Sequence, residues 1–226
     1  MLASPSRRLR LGVLLALWVG ALIVTRVGLT GSGFGLFLVW NLVLAAVPLA
    51  ASTAIVRLDA RGAGAGSLFG LGAVWLLFLP NAPYILTDLV HLAYRPPVPF
   101  WFDLALLLSA GGLGLLSGYV SLSDVQRVVA RRVGPRVAWA GSVAVLFLSA
   151  FGIYLGRELR WNSWDVVAAP GTLAADIVAL VLNPLAHPTT VVMTLVFGGM
   201  LTLGYVVLHE LARPSGLQPD PARSEA

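Results

Sequence analysis

Cysteine and lysine are both absent from the 226 residues. The first absence excludes disulfides, thiolate metal sites and a cysteine nucleophile. The second leaves arginine as the only strong base. Charge of either sign is scarce: Asp, Glu, Lys and Arg make up 11% of the chain against 58% hydrophobic residues. Mean hydropathy is +0.87, well outside the range of soluble globular domains, so the chain reads as a polytopic membrane protein. The net charge of +5 does not argue for a nucleic-acid partner, because most arginines sit in short loops between apolar runs, where they set topology. No G-x-S-x-G, H-E-x-x-H or phosphate-loop glycine pattern is present, and no internal repeat.

What is there is a series of apolar runs near the roughly 17 to 25 residues that a membrane-spanning helix needs. Candidate spans cover residues 11–27, 34–56, 67 into a polar stretch near 80, 100–122, 137–155 and 189–208. The expected fold is therefore an all-α bundle of about six transmembrane helices. The Arg7-Arg8-Leu9-Arg10 start resembles a signal sequence, but no small-residue cleavage pattern follows at Val24-Thr25-Arg26, so a retained first span is the better reading. Residues 1–10 form an expected cytoplasmic tail, 11–209 one transmembrane domain, and 210–226 a second cytoplasmic tail, expected to be disordered.

Ser123-Asp124-Val125-Gln126 has capping-box spacing, and Arg127, Arg131 and Arg132 follow, which predicts a short basic helix lying along a membrane surface. Residues 166–187 are apolar but interrupted by Pro170, Asp176 and Pro184, which predicts an interfacial or re-entrant helix after the fifth span. Asp103, at the start of the fourth span, reads as a helix-capping carboxylate. Asn41, within the second, reads as an interhelical hydrogen-bond partner. Gly111, Gly112, Gly114 and Gly118 in the fourth span, and Gly152 and Gly156 in the fifth, suit close helix packing.

Arginine placement orients the spans. With the N-terminus inside, cytoplasmic segments hold Arg7, Arg8, Arg10, Arg57, Arg61, Arg127, Arg131, Arg132, Arg136, Arg213 and Arg223. The other side holds only Arg26, Arg95, Arg157 and Arg160, so both termini are expected in the cytoplasm.

One stretch stands apart. LPNAPYILTDLVHL, residues 79–92, sets an amide, a phenol, a hydroxyl, a carboxylate and an imidazole within about three turns of an otherwise apolar segment. Pro80 and Pro83 predict a kink or break that frees backbone groups. A helix after Pro83 would put Tyr84, Asp88 and His91 on one face, beside Asn81 and Thr87. A second polar block, GRELRWNSWD at 156–165, ends the fifth span on the same predicted face of the membrane.

The FLPNAPYILTDLVHL core, the GIYLGRELRWNSWD segment at 152–165 and NPLAH at 183–187 resemble an uncharacterised family of bacterial integral membrane proteins, catalogued only as a domain of unknown function. The resemblance runs from about residue 40 to 208 and implies a multi-pass protein of the bacterial cytoplasmic (inner) membrane. It brings no activity, cofactor or catalytic residue with it.

The residues themselves allow three functional readings and a plainer structural one. In the first, the two blocks form an extracytoplasmic pocket for a lipid-linked or anionic small molecule, with membrane lipid as the partner. Asp88, His91 and Glu158 would be its acid–base groups. Asn81, Tyr84, Thr87, Arg157, Arg160, Asn162 and Asp165 would bind the ligand. Asp88 and His91 are also the pair that would hold a divalent metal, a weak signal with two ligands. The plainer reading pairs Asp88 with Arg157 or Arg160 as structure and places Trp161 and Trp164 in an interfacial belt. A transporter or channel would use the break at Pro80 and Pro83 to line a path, and a non-catalytic subunit or assembly factor would use the glycine faces to dock a partner. His187 and His209 carry no assigned role.

Overall fold

The computed structural model describes residues 5–212. Arg213, Arg223 and most of the expected C-terminal tail lie outside the described residues. Among the described residues, six helices are long and apolar enough to cross a membrane. They are α1 (Pro5–Thr30), α2 (Leu36–Ala60), the broken segment that begins with α3 (Ala65–Phe78), α5 (Phe100–Val133), α6 (Pro135–Arg157) and α9 (Pro188–Leu211). Within the third, α4 (Asn81–Tyr84) and a 3-10 segment (Ile85–His91) follow α3. Two short helices, α7 (Asp165–Ala168) and α8 (Pro170–Leu182), complete the set. Among the described residues no strand forms, only an isolated bridge between Arg95 and Val98.

α5 is the axis of the bundle. Its 34 residues make a rod of about 51 Å, far longer than a hydrocarbon core of about 30 Å. Because neither proline nor glycine interrupts 119–133, the helix runs on through the expected surface piece at 123–132. The capping-box residues are used otherwise. Asp124 takes Arg8 of α1 at 3.0 Å and also Arg127. Tyr205 of α9 donates to Gln126 at 2.6 Å, and its hydroxyl lies 3.2 Å from that of Ser123. Arg131 and Arg132 pair with Asp59 at the end of α2, each at 2.6 Å.

Asp103 also departs from its expected role. Its side chain caps nothing and turns into the bundle, where its two oxygens meet Arg26 of α1 at 2.7 and 3.3 Å. Both side chains are sealed, at 1% and 2% exposure. A lone carboxylate there would be expensive to bury, and the two-pronged guanidinium offsets that cost.

The third segment breaks because Pro80 and Pro83 lack the N–H that an α-helix needs and their rings crowd the preceding turn. The backbone tightens instead of turning away: the Ala82 amide reaches Leu79 three residues back at 3.1 Å. Glycines give this thickened segment room. A methyl group on Gly114 would collide with the Ala82 carbonyl oxygen, one on Gly118 would lie 3.0 Å from Ala82, and one on Gly111 3.2 Å from Leu86. On the other side, a methyl on Gly152 would lie 2.7 Å from the Pro80 ring and one on Gly156 3.3 Å from the Tyr84 ring. The glycine faces of α5 and α6 thus grip the break between them.

α8 has 13 residues, about 20 Å and short of a bilayer. Only Leu173 and Leu180 are buried, and its Asp176 accepts a hydrogen bond from the Trp161 indole at 2.9 Å.

Candidate functional site

One end of the bundle collects the end of α1, the start of α2, the 3-10 segment, the start of α5, the end of α6 and the start of α9. Both polar blocks fall there. Asp88 is the centre, only 2% exposed. One carboxylate oxygen takes Arg157 of α6 at 3.1 Å and the other takes the Asn41 amide of α2 at 2.8 Å. Arg157, itself 16% exposed, also donates to the Thr87 carbonyl at 2.8 Å and lies 3.5 Å from the Tyr84 hydroxyl. Three elements are joined through one buried charge. Asn41 is thus an interhelical partner, and the partner is the site's carboxylate.

His91 lies just outside this node. In a 3-10 segment residues three apart stack on the same edge, so its Nε2 comes 3.9 Å from Asp88, too far for a hydrogen bond. Its side chain is 48% exposed and packs edge-on against Phe37 of α2, with ring centres 5.4 Å apart. Asp88 and His91 make two potential metal donors, and no group of three or more His, Cys, Asp or Glu suitable for a metal occurs among the described residues.

Asn81 serves the helix break. Its amide donates to the Phe78 carbonyl at 3.0 Å and to Ser163 at 2.9 Å, and the Ser163 hydroxyl donates to the Leu77 carbonyl at 3.2 Å. Side chains therefore satisfy two backbone carbonyls beside the break, as irregular backbone at membrane depth requires. Thr87 bonds back to the Tyr84 carbonyl at 2.7 Å.

The remainder of the second block sits apart from Asp88. Asp165 accepts from the Asn162 backbone at 2.7 Å and its side chain at 3.3 Å, closing the turn into α7. Glu158 and Arg160 are exposed and form no ion pair among the described residues, with Arg160 at a positive φ of 62°. Ser163, inside the second polar block, and Asn41, read as an interhelical partner, are the site-end residues to which the sequence assigns no binding role. Asn41, a polar amide inside an apolar span, carried the signal.

Beside the node an open groove of about 490 Å³ runs between the 3-10 segment and α9. Leu86, Leu89 and Val90 form one wall, Met193, Phe197 and Met200 the other, and Thr87, Arg157 and Glu158 its polar end. The groove is open along one side rather than enclosed.

The family model described as "Protein of unknown function (DUF1361)" matches residues 40–203. The chain belongs to this family. Every member of the Asp88 node lies within the matched region, whereas α1, with Arg26, lies before it. No curated protein and no solved structure matches.

Proposed function

We propose that this chain is a multi-pass protein of the bacterial cytoplasmic membrane that binds a membrane-resident amphiphile in the groove between the 3-10 segment and α9. Both termini lie in the cytoplasm and the site end faces outward. The observation that carries the reading is the groove itself: two apolar walls end on a charged and hydrogen-bonding cluster, the pattern an amphiphile's tail and head would need. The arginine asymmetry supports the orientation, since Arg7, Arg8, Arg10, Arg57, Arg61, Arg127, Arg131, Arg132 and Arg136 crowd the opposite end. Glu158, exposed at the polar end of the groove, is the group available to accept a proton if the ligand is processed, whereas His91 packs on Phe37 of α2 and does not line the groove.

Transport through the break is the weaker reading. Two carbonyls beside it are bonded by side chains and the segment is clasped by glycines, which leaves little room for a path along it. Docking of a partner on those glycines is weaker for the same reason. Native mass spectrometry tests the proposal: wild-type protein released from mild detergent should retain an amphiphile that Met193→Trp/Met200→Trp, which fills the groove, does not. Equal retention by the two, with unchanged helical content, would refute it.

A further inference from the structure

We infer that the groove selects a bilayer lipid whose headgroup carries a primary ammonium. This rests on the amphiphile-binding reading and names the class of ligand. Two ionisable groups line the groove, Arg157 and Glu158, and their situations differ. Arg157 is already committed: its guanidinium faces the buried Asp88 carboxylate at 3.1 Å and the Thr87 carbonyl at 2.8 Å. An anionic headgroup would compete with the sealed Asp88 carboxylate for the Arg157 charge and weaken that compensation, which is unfavourable. Glu158 is exposed and has no ion pair among the described residues. The charge at the groove that lacks a partner is therefore negative, and its complement is a cation.

A primary ammonium fits better than a quaternary one, because it can donate hydrogen bonds to a carboxylate and a quaternary ammonium cannot. Met193 and Met200 stand two turns apart on α9, about 10 Å along its axis, which gives the chain of the lipid a flexible apolar wall.

The experiment uses the full chain in nanodiscs with phosphatidylethanolamine or phosphatidylglycerol, each bearing a photoactivatable diazirine on one acyl chain, and maps crosslinks by mass spectrometry. Crosslinks at 193–200 should be about two- to fivefold more abundant with phosphatidylethanolamine, the preference a partly exposed ion pair supports. In Glu158→Gln that ratio should fall to near one while the crosslinks persist. Equal labelling by both lipids in the wild type would overturn the ammonium inference and leave the groove standing. A preference that survives in Glu158→Gln would overturn it too. Absence of crosslinks at 193–200 with either lipid would overturn both the inference and the groove.

Discussion

Replacing Arg157 by Met should destabilise the protein more than replacing it by Met and Asp88 by Asn together. Asp88 is sealed, at 2% exposure, and its charge is balanced by Arg157. Removing only the guanidinium leaves a buried carboxylate with the Asn41 amide as its remaining hydrogen-bond donor, since His91 stands too far off. Breaking one side of such a pair costs about 3–5 kcal/mol, two to three and a half orders of magnitude in the folded-to-unfolded ratio. Asp88→Asn alone should cost less, about 1.5–3 kcal/mol, because an amide can still accept from Asn41 and Arg157 keeps its bond to Thr87. Adding Asp88→Asn to Arg157→Met removes the stranded charge, so the double variant should regain about 1–3 kcal/mol over Arg157→Met. Equilibrium unfolding of the four proteins in the same mixed micelles measures the cycle. A double variant no more stable than Arg157→Met would refute the claim that the pair is buried and coupled.

Two further outcomes follow from the packing and from the composition. Gly114→Ala should destabilise by about 1–3 kcal/mol, as overpacking against the Ala82 backbone does, whereas Gly112→Ala, with nothing within 4 Å of the added methyl, should be neutral or stabilising by up to about 1 kcal/mol; thermal unfolding in detergent separates the two. Because cysteine is absent, any introduced thiol is the only one: Ser32→Cys in the site-end loop should react with a membrane-impermeant maleimide in intact cells, and Ala63→Cys at the opposite end only after lysis. The reverse pattern would invert the proposed orientation.

The membrane bundle and its proline break were legible because both depend on local composition: long apolar runs must span, and Pro80 with Pro83 must interrupt an α-helix. The 3-10 form of the continuation was not legible. A regular α-helix after Pro83 would have placed His91 nearly two turns from Tyr84 on one face. The tighter winding stacks it directly on the edge of Asp88 instead, close but out of hydrogen-bonding range. α5 shows the opposite failure. The Ser123 to Gln126 spacing imitates a helix start, yet nothing at 119–133 breaks the helix, and Tyr205 and Arg8 recruit the polar side chains into contacts between helices. Spacing alone does not distinguish a cap from a cross-helix partner, because the two use the same donors and acceptors.

The arginines show what could have been read further. Four of them, Arg26, Arg95, Arg157 and Arg160, lie at the arginine-poor end of the bundle, and the charge rule alone assigns them no purpose there. Two of the four, Arg26 and Arg157, hold buried carboxylates, Asp103 and Asp88. Arg95 instead lies over the Phe34 ring at 4.2 Å and bonds the His91 carbonyl at 2.8 Å. The two that bind acids sit within or at the end of apolar helices, where a lone charge on either partner would be costly and each offsets the other's desolvation. The two that do not lie in the connecting segments, where water can serve them. An arginine inside a span at the arginine-poor end therefore points to a hidden acid at that end, and Asp103, at the start of the fourth span, is the one that meets Arg26.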